Sequence, residues 1–455
     1  WHTSIDGIAY RHSKPMKTDL NHVLRQGNWS NWAGNQQTTG VLISRPRTED
    51  ELQQVVQYAL IHNKRIKAVG SGHSFTAIAL ADQILVDLSQ YDSVLEIDKN
   101  ANTLTVQSGI ELTQINKRLH ENGLAMQNLG DIAYQTIAGA ISTSTHGTGA
   151  KLTGIADQVV ALRIVLADSS VVSCSPTQNA ELFNCARVGL GALGLISTVT
   201  LRVVPAFNLE VVEQPMRVDE VLQNLEEHVE SNDHFEFFWV PHTGWALTKR
   251  NNRTTMPAEP MSRFSHWYSK TLMENYAFGA VCALGRAKPA LIPKLAKALP
   301  AAGRNEYRDA SFKVFASKRI VKFYEMEYAI PRESCAEALD RVRRMVADSG
   351  FFLNFPVEVR FTASDEIPLS TASNRDSAYI AVHIFKGMNY MPYFVEVEKI
   401  MNSYQGRPHW GKIHFQNAET LASRYQQWDV FQAVRNSVDP DRRFSNGYLE
   451  TVLGK

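Results

Sequence analysis

Three runs of small residues punctuate the first two hundred positions: Val69 to Phe75 (VGSGHSF), Gln135 to Ala150 (QTIAGAISTSTHGTGA) and Gly189 to Gly194 (GLGALG). Glycine admits positive φ and lets backbone approach a ligand or another chain segment closely. Three such loops in one domain restrict it to folds that lay backbone against backbone, or against something extended. The second run adds the hydroxyls of Ser142, Thr143, Ser144, Thr145 and Thr148, which with main-chain N–H groups can face a phosphate. The first run ends an apolar stretch with an imidazole, His73. On the residues alone, His73 reads as a histidine hydrogen-bonded within a turn.

The intervening segments set the scaffold. Thr48 to Glu51 (TEDE) is a capping box. Leu52, Val55, Val56, Ala59 and Leu60 follow at helical spacing, so a helix is expected to about His62. RIKAVG and QILVDLS read as strands. VLEID and TLTVQSG flank the polar turn KNAN as a hairpin, and ELTQINKRLHENG is a helix closed by Gly123. VVALRIVLADSSVVSCS is a second hairpin, AELFNCARVG a helix and LISTVTLRVVP a strand. Strand pairs alternating with helices indicate an α+β fold, not a βαβα series.

At 455 residues the chain exceeds one simple core, so two domains are expected. Pro205 marks the boundary, giving 1–206 and 207–455. The second part holds a long helix (ESCAEALDRVRRMVADSG), strands such as SAYIAVHIF, and a polar tail, 435–455, expected to return to the first domain. Residues 264–300 are aromatic and basic. A membrane-surface reading is weighed there against a helical part of the second domain. Lys270, Glu274 and Arg286 interrupt the segment and favour the helical reading.

Composition excludes several classes. Forty-seven Lys and Arg against 46 Asp and Glu leave a net charge of +1, and no long basic run suggests nucleic acid. Cys174, Cys185, Cys282 and Cys335 lack C-x-x-C spacing and read as reduced thiols in a reducing setting. The histidines show no zinc spacing, so no metal is expected. No 18-residue apolar run is present, and the start at Trp1 carries no signal-peptide pattern. The expected location is cytoplasmic or peripheral to a membrane.

Gly189 to Gly194 is a literal G-x-G-x-x-G, but a helix precedes it and a strand follows. A nicotinamide fingerprint needs the reverse order, because the pyrophosphate sits on a helix N-terminus. The loop then reads as a tight turn, or as backbone beside another cofactor's phosphates. The three loops together suit one long ligand, and a flavin dinucleotide has that length.

Several stretches carry a resemblance over nearly the whole chain: NWAGNQQTTGVLISRPRTEDEL, VGSGHSF, GLAMQNLGDIAYQTIAGAISTSTHGTG, NCARVGLGALGLISTVTLRVVP, FPVEVRFT, GRPHWGK and FSNGYLE. Jointly they resemble the aldonolactone oxidoreductases of the vanillyl-alcohol-oxidase flavoprotein superfamily. The resemblance implies a two-subdomain FAD-binding domain of PCMH type followed by an α+β cap domain. It implies FAD bonded covalently through His73. It maps cofactor contacts onto Val69, Gly70, Ser71, Gly72, Ser74, Phe75, Asn128, Gly130, Asp131, Thr136, Ala138, Gly139, Ser142, Thr145, His146, Gly147, Gly194, Ile196 and Asn446.

On the substrate side, Glu358 and Arg360 are two apart on an apparent strand and so share a face. The bland reading is a surface ion pair. The resemblance makes Glu358 the partner of lactone hydroxyls and Arg360 that of the substrate oxygen. It places Lys412 beside the flavin, where fixed positive charge stabilises the reduced ring. His383 matches a histidine of related alditol oxidases and is a candidate general base; His409 reads equally as a packed ring beside Trp410. The implied reaction is oxidation of an L-gulono-type 1,4-lactone at C2, giving ascorbate or an analogue and hydrogen peroxide from O2. Dehydrogenase activity toward cytochrome c, quinone or dye, and alditol oxidation, are the alternatives. Within the family, glycine at position 130 accompanies oxygen use and alanine accompanies its loss, so Gly130 is a candidate oxygen gate; the alternative is a glycine that serves a φ > 0 turn. A nicotinamide reductase and a metal- or lipid-carrying protein remain as rivals that a visible spectrum separates.

Overall fold

The computed structural model describes residues 24–298, 303–316 and 319–455. The start at Trp1 and the end of the aromatic, basic segment, residues 299 and 300, lie outside the described residues.

The capping box nucleates the first helix, Glu49–Ile61. Thr48 Oγ1 accepts from the Glu51 amide at 3.2 Å, and Leu52, Val55, Val56 and Ala59 are fully buried. The Glu51 carboxylate accepts from the Arg47 amide at 2.6 Å, not from Thr48, so the reciprocal bond closes one residue early.

The first sheet comprises β1 (Leu24–Ser30), β2 (Gln37–Ser44), β3 (Ile66–Val69) and β4 (Ile84–Asp87), in the order β1-β2-β4-β3. The two sequence hairpins supply β5 (Val94–Asp98) with β6 (Thr103–Gln107), and β8 (Val159–Val165) with β9 (Val171–Cys174). A short ladder joins β7 (Leu124–Ala125) to β11 (Val204–Pro205). Strand β10 (Leu195–Arg202) inserts between the hairpins, giving the sheet β5-β6-β10-β8-β9.

Eight strands form the third sheet: β12 (Asn208–Arg217), β13 (His234–Trp239), β14 (Trp245–Thr254), β15 (Asn305–Ala310), β16 (Phe323–Pro331), β17 (Val357–Thr362), β18 (Ser377–Phe385) and β19 (Arg407–Pro408). Their order is β15-β12-β14-β13-β17-β18-β16-β19. One face is apolar: Val357, Val359, Ile380, Val382 and Met326 pack with Leu339, Val342, Phe394 and Val397 of helices Cys335–Ser349 and Met391–Asn402. The other face, by the period of two, carries the charges described below.

The end of the chain packs on the first half. Leu421, Trp428, Phe431, Leu449 and Val452 share a core with Leu104, Ile115, Ile137 and Val199. Asn446 caps the helix Gly447–Leu453 and donates to the carbonyls of Ala77 and Leu80 at 2.9 and 2.8 Å. The Ile66 amide of β3 donates to the Arg443 carbonyl at 2.8 Å. Residues Arg263 to Ala287 are helical, with π-type hydrogen bonding from Trp267 to Ala277. No helix among the described residues is long and apolar enough to cross a membrane. All four cysteines are free and buried.

Candidate active site

The three small-residue loops line one groove of about 130 Å³, which includes Val69 to Phe75, Thr136, Ala138, Gly139, Ser142, Gly191, Gly194 and Ile196. The first loop crosses the second so closely that a Cβ at Gly70 would lie 1.9 Å from Thr136 Oγ1. Gly72 sits at φ +67°, a conformation glycine adopts freely. Two buried oxygens on the groove wall, Ser71 Oγ and Gln135 Oε1, have no hydrogen-bond partner. Backbone-lined and with unused polar atoms, the groove has the lining that the phosphates and hydroxyls of a dinucleotide require.

His73 stands at one end of the groove. Trp32 stacks on it at 5.6 Å. Burial, and then the charge of Lys412, hold the imidazole down to about 4, so it is neutral and nucleophilic near pH 7. Lys412 is there because the HWGK segment is pinned to this loop. The Phe75 amide donates to the Gly411 carbonyl at 2.7 Å, and Thr76 Oγ1 donates to the Trp410 carbonyl at 2.9 Å.

Beyond His73 the groove opens into a chamber of about 90 Å³. Phe323, His409, Lys412, Ile132 and Gln135 line both spaces. The chamber floor is the charged face of the third sheet. Glu358 pairs across strands with Ala381, Arg360 with Tyr379, and His383 with Glu325. Directly opposed residues of antiparallel strands share a face, so Glu358, Arg360, His383, Glu325 and Glu327 all look into one space. Gly130, Asp131, Thr145 and His146 close it from the first domain.

Arg360 is bound by three carboxylates: Glu236 at 2.9 Å, Asp131 and Glu358. All four groups meeting at this point are buried or nearly so, which makes the pair far more than the exposed ion pair that its spacing alone suggests. Burial, reinforced by Asp131 and Glu236, pushes the Glu358 carboxyl up to about 7 despite Arg360. Asp131, also raised by burial, is held far below the usual range by Arg360 and Arg319.

Sequence reasoning missed Glu325 and Glu327. Glu325 binds Lys412 and lies 3.4 Å from His383 Nε2. Burial opposes its charge, but Lys412 and His383 outweigh burial and keep it ionised. Glu327 lies 3.2 Å from His146 Nε2, whose ring stacks on Tyr379 at 3.5 Å; it is held at about 2, with burial opposing and His146 prevailing. The signal was present: FYEMEYAIP has two carboxylates two apart in an otherwise apolar strand. His409, in the wall between groove and chamber, is pushed down to about 3, chiefly by burial, and accepts from the Gly411 amide at 3.1 Å.

Other expected cofactor contacts fall elsewhere. Asn446 is the tail clamp described above and does not line the groove. Asn128 is buried behind it, accepting from the Leu129 amide at 3.0 Å. Gly147 lines a neighbouring cavity, and its absent side chain accommodates Asn128 Oδ1, 2.5 Å from the Cβ position. Gly130 is not left-handed, which removes the φ > 0 explanation. Its lack of a side chain lets the loop lie on the His146 carbonyl, 2.9 Å from where a Cβ would be.

Comparison with known proteins agrees with this geometry. Residues 199–452 match the family described as D-arabinono-1,4-lactone oxidase, and residues 41–175 match an FAD binding domain. L-gulono-1,4-lactone dehydrogenase of Mycobacterium tuberculosis is 43% identical over 94% of this chain and 99% of its own. L-gulonolactone oxidase of Bos taurus is 34% identical over 95% and 99%. Among solved structures, cholesterol oxidase from Brevibacterium sterolicum superposes with a TM-score of 0.80 at 18% identity, covering 97% of this chain and 100% of that one. A solvent-stable cholesterol oxidase gives 0.83 at 19% identity, covering 95% and 98%. The fold is therefore that of the vanillyl-alcohol-oxidase flavoproteins, and the chain belongs to the aldonolactone oxidoreductase family with a PCMH-type FAD-binding domain.

Proposed function

We propose that the protein oxidises an aldonolactone of the gulono or arabinono type at C2. The observation that carries this is the continuity of a glycine-lined groove with a small charged chamber, joined at Lys412 and His409. A polyhydroxylated ring needs hydrogen-bonding walls, and the chamber has them. FAD, when bound, supplies the two-electron acceptor. His73, neutral and at the groove end, is the residue we assign to its covalent attachment.

Within the chamber, Arg360 binds the lactone oxygens with N–H donors fixed by Glu236 and Asp131. Glu358 accepts from the sugar hydroxyls when ionised. His383 takes up the C2 hydroxyl proton at Nε2, the nitrogen that also faces Glu325 at 3.4 Å, while Nδ1 faces the Pro356 carbonyl at 3.1 Å; the Glu325 carboxylate stabilises the imidazolium. Lys412 supplies fixed positive charge where negative charge develops. Removal of C2–H and the C2–OH proton leaves a 2-keto lactone that enolises to ascorbate or its analogue.

Oxygen as acceptor, with hydrogen peroxide as product, is the reading Gly130 favours. A dehydrogenase is the second reading, favoured by the name of the 43% identical relative. Anaerobic addition of L-gulono-1,4-lactone to the yellow holoenzyme tests the substrate assignment: bleaching is expected, and an unchanged spectrum with all three lactones (gulono, galactono, arabinono) overturns it. Readmitting air, against adding a dye, then separates oxidase from dehydrogenase.

A further inference from the structure

The charged face of the third sheet does not end at Arg360. It continues across β13, β14, β12 and β15, where Phe238, Leu247, Asn251 and Val211 follow at the same period. There it is roofed by the helical stretch Arg263 to Ala287, and between sheet and roof lies a second cavity of about 1140 Å³. Five residues line both this cavity and the small chamber: Asp131, Phe238, Arg319, Pro356 and Arg360.

The second cavity is far too large for a monocyclic lactone, and of its charged lining residues Lys249 pairs with Glu236 and Lys270 with Glu213. Its walls include Leu247, Met273, Phe278, Val281, Phe312 and Phe315. Ligand sites of this kind take an apolar body and a few placed polar groups. One such group waits unused: Asn251 is 6% exposed and faces the cavity, and its Oδ1 has no partner. At the end nearest the chamber stands the Arg360 guanidinium, a donor. An occupant with an apolar ring, a carbonyl oxygen to accept from Arg360 and, once reduced, a hydroxyl to donate to Asn251 meets all three conditions.

We propose that this cavity is an acceptor site for a quinone, next to the lactone chamber and separated from it by the side chains of Asp131 and Arg360. The assignment rests on the reading of the small chamber as the lactone site. The lactone gives up two electrons and two protons, its C2–H and C2–OH hydrogens. The quinone takes up two electrons and two protons to become the quinol, so the exchange balances without a further oxidant. FAD, when bound, would supply the relay between the two, with oxygen as the rival acceptor.

Decylubiquinone and the FAD-loaded enzyme test this. Calorimetric titration of the oxidised protein should show saturable binding. Val281→Trp, and independently Met273→Trp, fill the cavity from its roof and should each weaken that binding by at least about tenfold, equivalent to about 1.4 kcal/mol. After anaerobic reduction by lactone, decylubiquinone should reoxidise the wild-type flavin at a saturable rate, and the variants slowly. Ferricyanide, small and hydrophilic, should reoxidise all three alike. Absence of saturable binding, or variants that bind as well as wild type, overturns the proposal. If lactone bleaches the flavin yet the quinone does not bind, the cavity assignment alone fails. If the quinone binds and the variants abolish binding while no lactone bleaches the flavin, the lactone reading alone fails.

Discussion

Glu325 holds the ammonium of Lys412 at the seam where groove and chamber meet, although the two residues are 87 positions apart. The same carboxylate faces His383 at 3.4 Å. Removing one partner of a buried pair leaves the other charge uncompensated, typically costing about 3 to 5 kcal/mol. Glu325→Ala is therefore expected to lower unfolding stability by about 3 kcal/mol and kcat by roughly tenfold or more. Glu325→Gln keeps the packing and should recover most of the stability but not the rate. Denaturant unfolding beside steady-state kinetics checks both; a rate recovered by glutamine shows that Glu325 only fills space.

Arg360 is the shared cation of Asp131, Glu236 and Glu358. Arg360→Ala should reduce kcat/KM by roughly 10²-fold, since a charge-assisted contact to the substrate is lost. Arg360→Lys should not restore it, because a single ammonium cannot reach three carboxylates with fork geometry. Loss below about threefold for Ala, with FAD still bound, counts against a substrate role.

Glu358 sets a pH dependence whose sign follows from its carboxyl. That group is raised from an ordinary 4.5 to about 7 by burial and by its acidic neighbours. Between these values the folded protein holds a proton that the unfolded chain has released. Its contribution to stability is full below pH 4.5 and is lost as pH rises through 7. Glu358→Gln should flatten that slope of Tm against pH over 4.5 to 7. Asp131, Glu325 and Glu327, all lowered, act only at more acid pH. An unchanged slope in the glutamine variant assigns the titration to another group.

His73→Ala should release the flavin on acid precipitation, while the wild-type pellet stays yellow. Colour that leaves the wild-type pellet wholly for the supernatant refutes the covalent assignment.

Gly130→Ala places a Cβ 2.9 Å from the His146 carbonyl. Reoxidation by air should slow more than lactone-driven reduction in stopped-flow measurements. Equal slowing of both half-reactions means the residue serves only the contact with His146, whose ring is paired with Glu327.

Much of this site was legible from local periodicity. The alternation of Glu358 and Arg360 predicts a shared face, and the crossing of small-residue loops predicts a narrow backbone-lined groove. What was not legible depends on partners distant in sequence. Glu325 and Glu327 look like two charges on an ordinary strand until β16 is paired with β18. Glu236 in HFEFFW has the same signal and the same obscurity. Asn446 was read as a cofactor contact because it lies in a motif, whereas its neighbours make it a helix cap and tail clamp. The π-type stretch from Trp267 to Ala277 leaves no mark on a 3.6-residue pattern.

The tail clamp has a consequence for how the protein is made. Strand β3, which leads into the His73 loop, donates a hydrogen bond from Ile66 to the Arg443 carbonyl, and buried Lys67 donates to the Phe444 carbonyl at 3.0 Å. Lys67 also donates to Gly191 at 3.1 Å, so one side chain ties Phe444 to the strand before the first small-residue loop and to the third loop. Synthesis runs from the N-terminus, and domains ordinarily fold in that order. Here the first half lacks these partners until residues 443 and 444 have been made. A chain that stops before Arg443 therefore lacks the bonds that brace β3 and the Gly191 loop against each other.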